Sequence, residues 1–230
     1  GQLDSAFIGT LEQKVEKSHF VRVDSDVIEN LIKKEDTKEA DITTMQRNVL
    51  TTVFRSQIPA IEKADFTIAF AALGEESTPV VVTQSEYMRR MKEMAALQPG
   101  MSFYGDFPDS YIVTLNTNHR AVKKVMAAAG EALDATVSPI EDELTVVNSE
   151  IKAIRDTDKD YKGLPADKQK EVDEKEQTTN ELREKERVAV TEWANSQDTV
   201  KQLIDIALLS NGLLKGEALS NFLKRSIDLL

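Results

Sequence analysis

Apolar positions change period several times along the chain, and each change marks an element. Phe7, Ile8 and Leu11 follow helical spacing, HFVRVDSDV reads as a strand, and DVIENLI resumes an apolar pattern after a turn at 24–26. KKEDTKEAD lacks apolar anchors and places a boundary near Lys33 to Asp41, so residues 1–38 are expected to be the end of a preceding domain and a linker. Ile42, Met45, Val49 and Val53 predict a helix that stops before Pro59. DFTIAFAAL and PVVVT read as two β segments, and the intervening GEEST predicts a hairpin loop.

Thr83 to Glu86 fits a capping box for the helix SEYMRRMKEMAAL, whose Tyr87, Met88, Met91, Met94 and Ala95 fall on one arc. Methionine is flexible and polarizable, so such a face suits apolar partners of varied shape; the plainer reading is a helix lying on its own sheet. QPGMSFYGDFPDS is irregular and predicts a flap. SYIVTLN alternates as a strand, and Asn118 is expected to cap the helix HRAVKKVMAAAG, ending at Gly130.

Residues 131–198 read as a charged helical insertion. SPIEDELTVVNSEIKAIRD predicts a helix from Ser138-Pro139 with Ile140, Leu144, Val147, Ile151 and Ile154 in a row. ADKQKEVDEKEQTTNELREKERVAVTEW is helix-favouring but almost free of apolar residues before Leu182. The two segments predict an antiparallel hairpin, or a segment whose middle lacks order because few apolar pairs offset its chain entropy.

The final stretch is the one around which the chain is organised. Val200, Leu203, Ile204, Ala207 and Leu208 recur at helical spacing, while Ile206 and Leu209 add apolar bulk on the opposite side. Ser210-Asn211-Gly212 signals a stop, Leu213 and Leu214 lie in the connection, and Leu219, Phe222, Leu223, Ile227 and Leu230 share a second broad face. A helix apolar on nearly all sides needs two covers. One side is expected to pack on its own domain and the other on a second copy, with Val200, Leu203, Ile204, Ile206, Ala207, Leu208, Leu213, Leu214, Leu219, Phe222, Leu223, Ile227 and Leu230 as the candidate dimer interface. The alternative is an ordinary core hairpin. The whole predicts an α+β domain at 39–230: a small sheet of about three strands covered by helices, a charged helical insertion and a terminal hairpin that forms a dimeric bundle.

Composition narrows the function. The net charge is −11, and residues 131–198 hold 19 acidic against 10 basic side chains, so the acidity belongs mainly to one segment and argues against nucleic-acid binding. No run approaches a membrane span, and the absence of cysteine fits a reducing compartment; a cytoplasmic protein is expected. Gly1 in place of an initiator Met leads us to expect an excised fragment. No phosphate-binding loop, zinc-helix motif or nucleophile elbow is present, and His19 and His119 read as hydrogen-bonding groups rather than general bases. No catalytic or metal-binding residue is expected here.

PVVVTQSEYMRRMKEM, SFYGDFPDSYIVTLNTNHRAVKKV and IDIALLSNGLLKGEALSNFLKRSIDLL, in that order, resemble the C-terminal dimerisation domain of the heat-shock protein 90 chaperone family, and LDSAFIGTLEQK with FVRVDSDVIENLI resembles the end of that family's middle domain. The resemblance implies a homodimer joined by the final helices. It also implies that Tyr87, Met88, Met91 and Met94 contact partly unfolded client proteins, and that the ATP and Mg²⁺ of the full-length family are bound in an N-terminal domain outside this chain. Between Glu131 and Asp198 the chain departs from the family's usual short connector.

Overall fold

Thr43 accepts a hydrogen bond from the Gln46 amide at 3.1 Å while its own amide donates to Gln46 Oε1 at 2.9 Å, a reciprocal cap that opens helix α1, Thr44–Ser56. The structure, a computed structural model, describes residues 41–84, Met91, 108–158 and 163–228, together with 7, 8, 10, 11 and 13–15. The expected strand HFVRVDSDV, nearly all of the boundary at 33–41 and most of the flap fall outside the described residues; the flap's last two residues, Asp109 and Ser110, are strand instead, whereas Phe7, Ile8 and Leu11 are helical as their spacing predicts.

Three strands follow: β1, Ala64–Ala71; β2, Val80–Gln84; and β3, Asp109–Asn116. Their order is β1-β3-β2, with β1 parallel and β2 antiparallel to β3. The expected β1–β2 hairpin is therefore wrong: GEEST does not close two neighbours but straddles the end of β3. That span is two strand spacings, about 9.5 Å, which residues 72–79 cross easily. The register puts Phe66, Ile68 and Phe70 beside Tyr111, Val113 and Leu115, with Val80 and Val82 on the same face. Phe66 stacks on Tyr111 at 5.3 Å, and Arg47 of α1 sits 5.0 Å over the Phe70 ring. Thr83, the expected helix cap, is instead a buried strand residue paired with Ile112.

Asn116 explains the loop. Fully buried, its Oδ1 accepts from the Leu73 and Asn118 amides, each at 3.1 Å, and its Nδ2 donates to the Gly74 carbonyl at 2.9 Å. One amide thus satisfies backbone groups on both sides of the gap that the loop bridges. Asn118 does not cap the next helix; its Nδ2 donates to the Leu73 carbonyl, and His119 is the cap, Nδ1 accepting from the Ala121 amide at 3.1 Å. The Nδ1 lone pair is available only if the ring proton sits on Nε2 or is absent from Nδ1.

Helix α2, Arg120–Arg155, neither stops at Gly130 nor restarts at Pro139 as expected. Val122, Val125, Ala129, Leu133 and Val137 form one buried row across Gly130, which Leu144 continues beyond Pro139, and their burial outweighs the roughly 1 kcal/mol that a mid-helix glycine costs. Pro139 is exposed, so water can take up the carbonyl bond that its ring removes. The charged segment therefore has no boundary at 131; it is the outer part of a helix that begins at the sheet. Helix α3, Ala166–Asn195, runs back along α2.

Among the described residues beyond Glu141, the large apolar side chains that this arm buries are Leu144 and Ile151 of α2 and Val172 and Leu182 of α3. Around that sparse stripe lie surface ion pairs: Lys175–Glu150 at 2.7 Å, Arg155–Glu176 and, within α3, Lys170–Glu174 at 3.8 Å. At the root, Val190 and Ala194 of α3 enter the main core with α1 and the inner sheet face.

Candidate pairing surface

After Asn195 only Ser196 and Gln197 separate α3 from α4, Asp198–Ser210. The predicted stop is present. The Leu213 amide donates to the Leu208 carbonyl and the Gly212 amide to the Leu209 carbonyl, both at 2.9 Å, with Gly212 at φ 66°. This pairing consumes the last helical carbonyls and requires the left-handed conformation that glycine adopts freely. Helix α5, Gly216–Asp228, then folds back on α4.

The thirteen candidate interface residues separate into groups. Val200, Ile204, Ala207, Leu208, Leu214 and Phe222 are buried in the chain's own core, where α4 packs on β2 and α1; they face inward and are not free to meet a partner. Leu203, Leu213 and Leu219 are half-buried at its margin. Ile206, Leu223 and Ile227 remain 44, 51 and 67% exposed, joined by Leu209 at 40%. Leu230 lies outside the described residues. The α4–α5 hairpin is thus covered on one side by its own domain and leaves these four apolar side chains open. Leu209 lies outside the candidate set, although its angular distance from Ile204 and Leu208 marks it as outward.

A polar patch joins the two helices between these faces. Asp205, buried on α4, binds Arg225 of α5, and Gln202 Nε2 donates to Ser226 Oγ at 3.0 Å. Burial pushes the Asp205 carboxyl above its ordinary pKa, and Arg225 opposes that rise. Sequence reasoning passed over these four residues, yet an aspartate inside LIDIALL is a visible break in an apolar run. A second buried acid lies at the arm's root: burial, and then the charge of Glu141, raise the Glu186 pKa, while Arg183 lowers it. Asn48 Nδ2 of α1 donates to Glu141 Oε1 at 3.0 Å at the same junction.

Of the candidate client-contact residues, Met91 is helical and half-buried; Tyr87, Met88 and Met94 lie outside the described residues. Among the described residues no group of three or more His, Asp or Glu side chains could hold a metal ion, and no helix is long and apolar enough to cross a membrane.

Comparison with known proteins finds relatives along the whole of this chain. The chain is 46% identical over 232 residues to the chaperone protein HtpG of Bacteroides thetaiotaomicron. It is 45% identical over 232 residues to that of Bacteroides fragilis and 41% over 236 residues to that of Porphyromonas gingivalis. Each match includes the whole of this chain, which spans about a third (34%) of the relatives' length. No family model matches the chain, and no solved structure matches it.

Proposed function

Homology with HtpG chaperones extends over the entire chain, and from that premise we propose that it is the self-pairing and client-contacting part of a molecular chaperone, with nucleotide chemistry placed elsewhere in the full-length protein. The single observation that carries the pairing is the strip of Ile206, Leu209, Leu223 and Ile227, four large apolar side chains left open on one hairpin. Covering such a side chain fully contributes about 1.5–3 kcal/mol, so a two-fold contact that buries the strip twice has enough apolar area to hold two copies together. The occupant that fits is a second copy, because the strip continues the hairpin's own apolar seam and carries no charge of its own.

Pairing then supplies the mechanism. Two copies present two weak apolar grips to one unfolded chain, and linkage raises the effective concentration of the second grip. The Met-bearing segment with Tyr87, Met88, Met91 and Met94 is the proposed grip, since methionine repacks against differently shaped partners.

Sedimentation of the full chain tests the pairing. The wild type is expected as a dimer at micromolar concentration and Leu223→Ser/Ile227→Ser as a folded monomer; a monomeric wild type overturns the reading. Met88→Gln/Met91→Gln/Met94→Gln should keep the dimer and weaken binding of a model unfolded protein. Unchanged binding would reduce the proposal to pairing alone.

A further inference from the structure

Polar side chains are sparse along the seam between α4 and α5, and those present form one patch. Asp205 is buried and binds Arg225; one turn earlier on α4, Gln202 donates to Ser226, whose hydroxyl in turn donates to the Phe222 carbonyl at 2.9 Å. Inward of the patch lie Ile204, Ala207 and Leu208 in the core; outward lie Ile206, Leu209, Leu223 and Ile227. Gln202 Oε1 and Arg225 Nε are buried without a hydrogen-bond partner.

A contact of this kind is a poor stabiliser. Desolvation of both charges offsets much of their attraction, two polar atoms go unsatisfied, and apolar residues of similar volume would hold the helices at least as firmly. What it supplies is geometry. An ion pair and an amide–hydroxyl bond are satisfied together in one register of the two helices and lost when either slides or rotates, whereas an all-apolar seam accepts several registers.

We infer that Asp205–Arg225, supported by Gln202–Ser226, pins the register of the pairing surface. It holds α5 on α4 of the same chain, so that Ile206 and Leu209 line up with Leu223 and Ile227 as one self-complementary strip. It also disfavours the competing assembly in which α5 docks on α4 of a second copy. That competitor is built in: residues 211–215 are a short connector, and helices joined by short connectors exchange readily between copies when their own hairpin is not specified. The inference rests on the proposed pairing, and the test separates the two.

The full chain is compared with Asp205→Leu/Arg225→Leu by sedimentation and thermal melting, and by disulfide cross-linking through Ile227→Cys, which is the sole thiol in a chain without cysteine. The apolar variant is expected to melt no lower than the wild type. It should either lose at least about tenfold in dimer affinity or sediment as several species, and the fraction captured as the disulfide-linked dimer should fall. Asp205→Arg/Arg225→Asp, which restores the pair with its polarity reversed, should return toward one species. An apolar variant with the same dimer affinity and the same yield of disulfide-linked dimer overturns the pin. So does one that fails to fold, since the pair would then serve the fold rather than the register. A monomeric wild type instead overturns the pairing reading beneath it.

Discussion

The molecule contains two helical hairpins built on opposite terms. In the arm, α2 and α3 share a stripe of Leu144, Ile151, Val172 and Leu182 about one residue wide, and ion pairs on its flanks stay in solvent. In the terminal hairpin, α4 and α5 have more apolar surface than their own domain covers, and the surplus is Ile206, Leu209, Leu223 and Ile227. Among the described residues the arm leaves one valine exposed on each helix, Val146 and Val188, whereas the terminal hairpin leaves four large apolar side chains open. Length and helicity do not predict association; the balance between apolar supply and intramolecular cover does.

The largest expected effect lies where the terminal hairpin meets the core. Leu208→Ala, at a fully buried site, should cost about 2–5 kcal/mol of global stability in chemical denaturation. Ile151→Ala in the outer arm should instead show as lost hydrogen-exchange protection of neighbouring arm amides, with little change in the global midpoint. Equal global losses from both would break the contrast and make the arm part of one cooperative unit. Next, Asn116→Leu should cost about 2–4 kcal/mol, because it strands the Leu73 and Asn118 amides and the Gly74 carbonyl together.

A smaller effect sharpens the comparison at the arm's root. Burial raises the Glu186 pKa, so the folded chain holds this proton more tightly than the unfolded chain. The resulting stabilisation is complete below the unfolded pKa of about 4.3 and is lost as pH rises through the folded value. Glu186→Gln should therefore raise the melting temperature at neutral pH by about 2 °C and flatten its dependence on pH above the unfolded carboxylate range. A variant that melts lower at neutral pH would show that the carboxylate is stabilised by its surroundings. Smallest of all, Lys170→Ala removes an ion pair exposed on both sides, and its melting curve should superimpose on that of the wild type.

Much of this was legible in the residues, for local reasons. The terminal helices, their stop at Gly212 and the α1 boundaries follow from short-range spacing and capping chemistry, which a linear reading samples directly. The sheet order did not follow. β1 and β2 look like a hairpin because they are close in sequence, and only Asn116, more than forty positions beyond the loop that it satisfies, shows that a third strand lies between them. Gly130 and Pro139 look like breaks because propensity is local, whereas the buried row from Val122 to Val137, continued by Leu144, has its partners on other elements. At the pairing surface the apolar pattern identified the hairpin but not its outward side, since Ile204 and Ile206 are alike in chemistry and differ only in what the rest of the fold places beside them.

Asn116 and His119 together fix where the longest helix begins, within two turns of backbone tied into the sheet. A rod of 36 residues anchored at such a fulcrum reaches about 54 Å, so that tilting it by about 5° carries its free end roughly 5 Å sideways. The return leg joins α4 through two residues, so a displaced tip has only a short connector between it and the terminal hairpin.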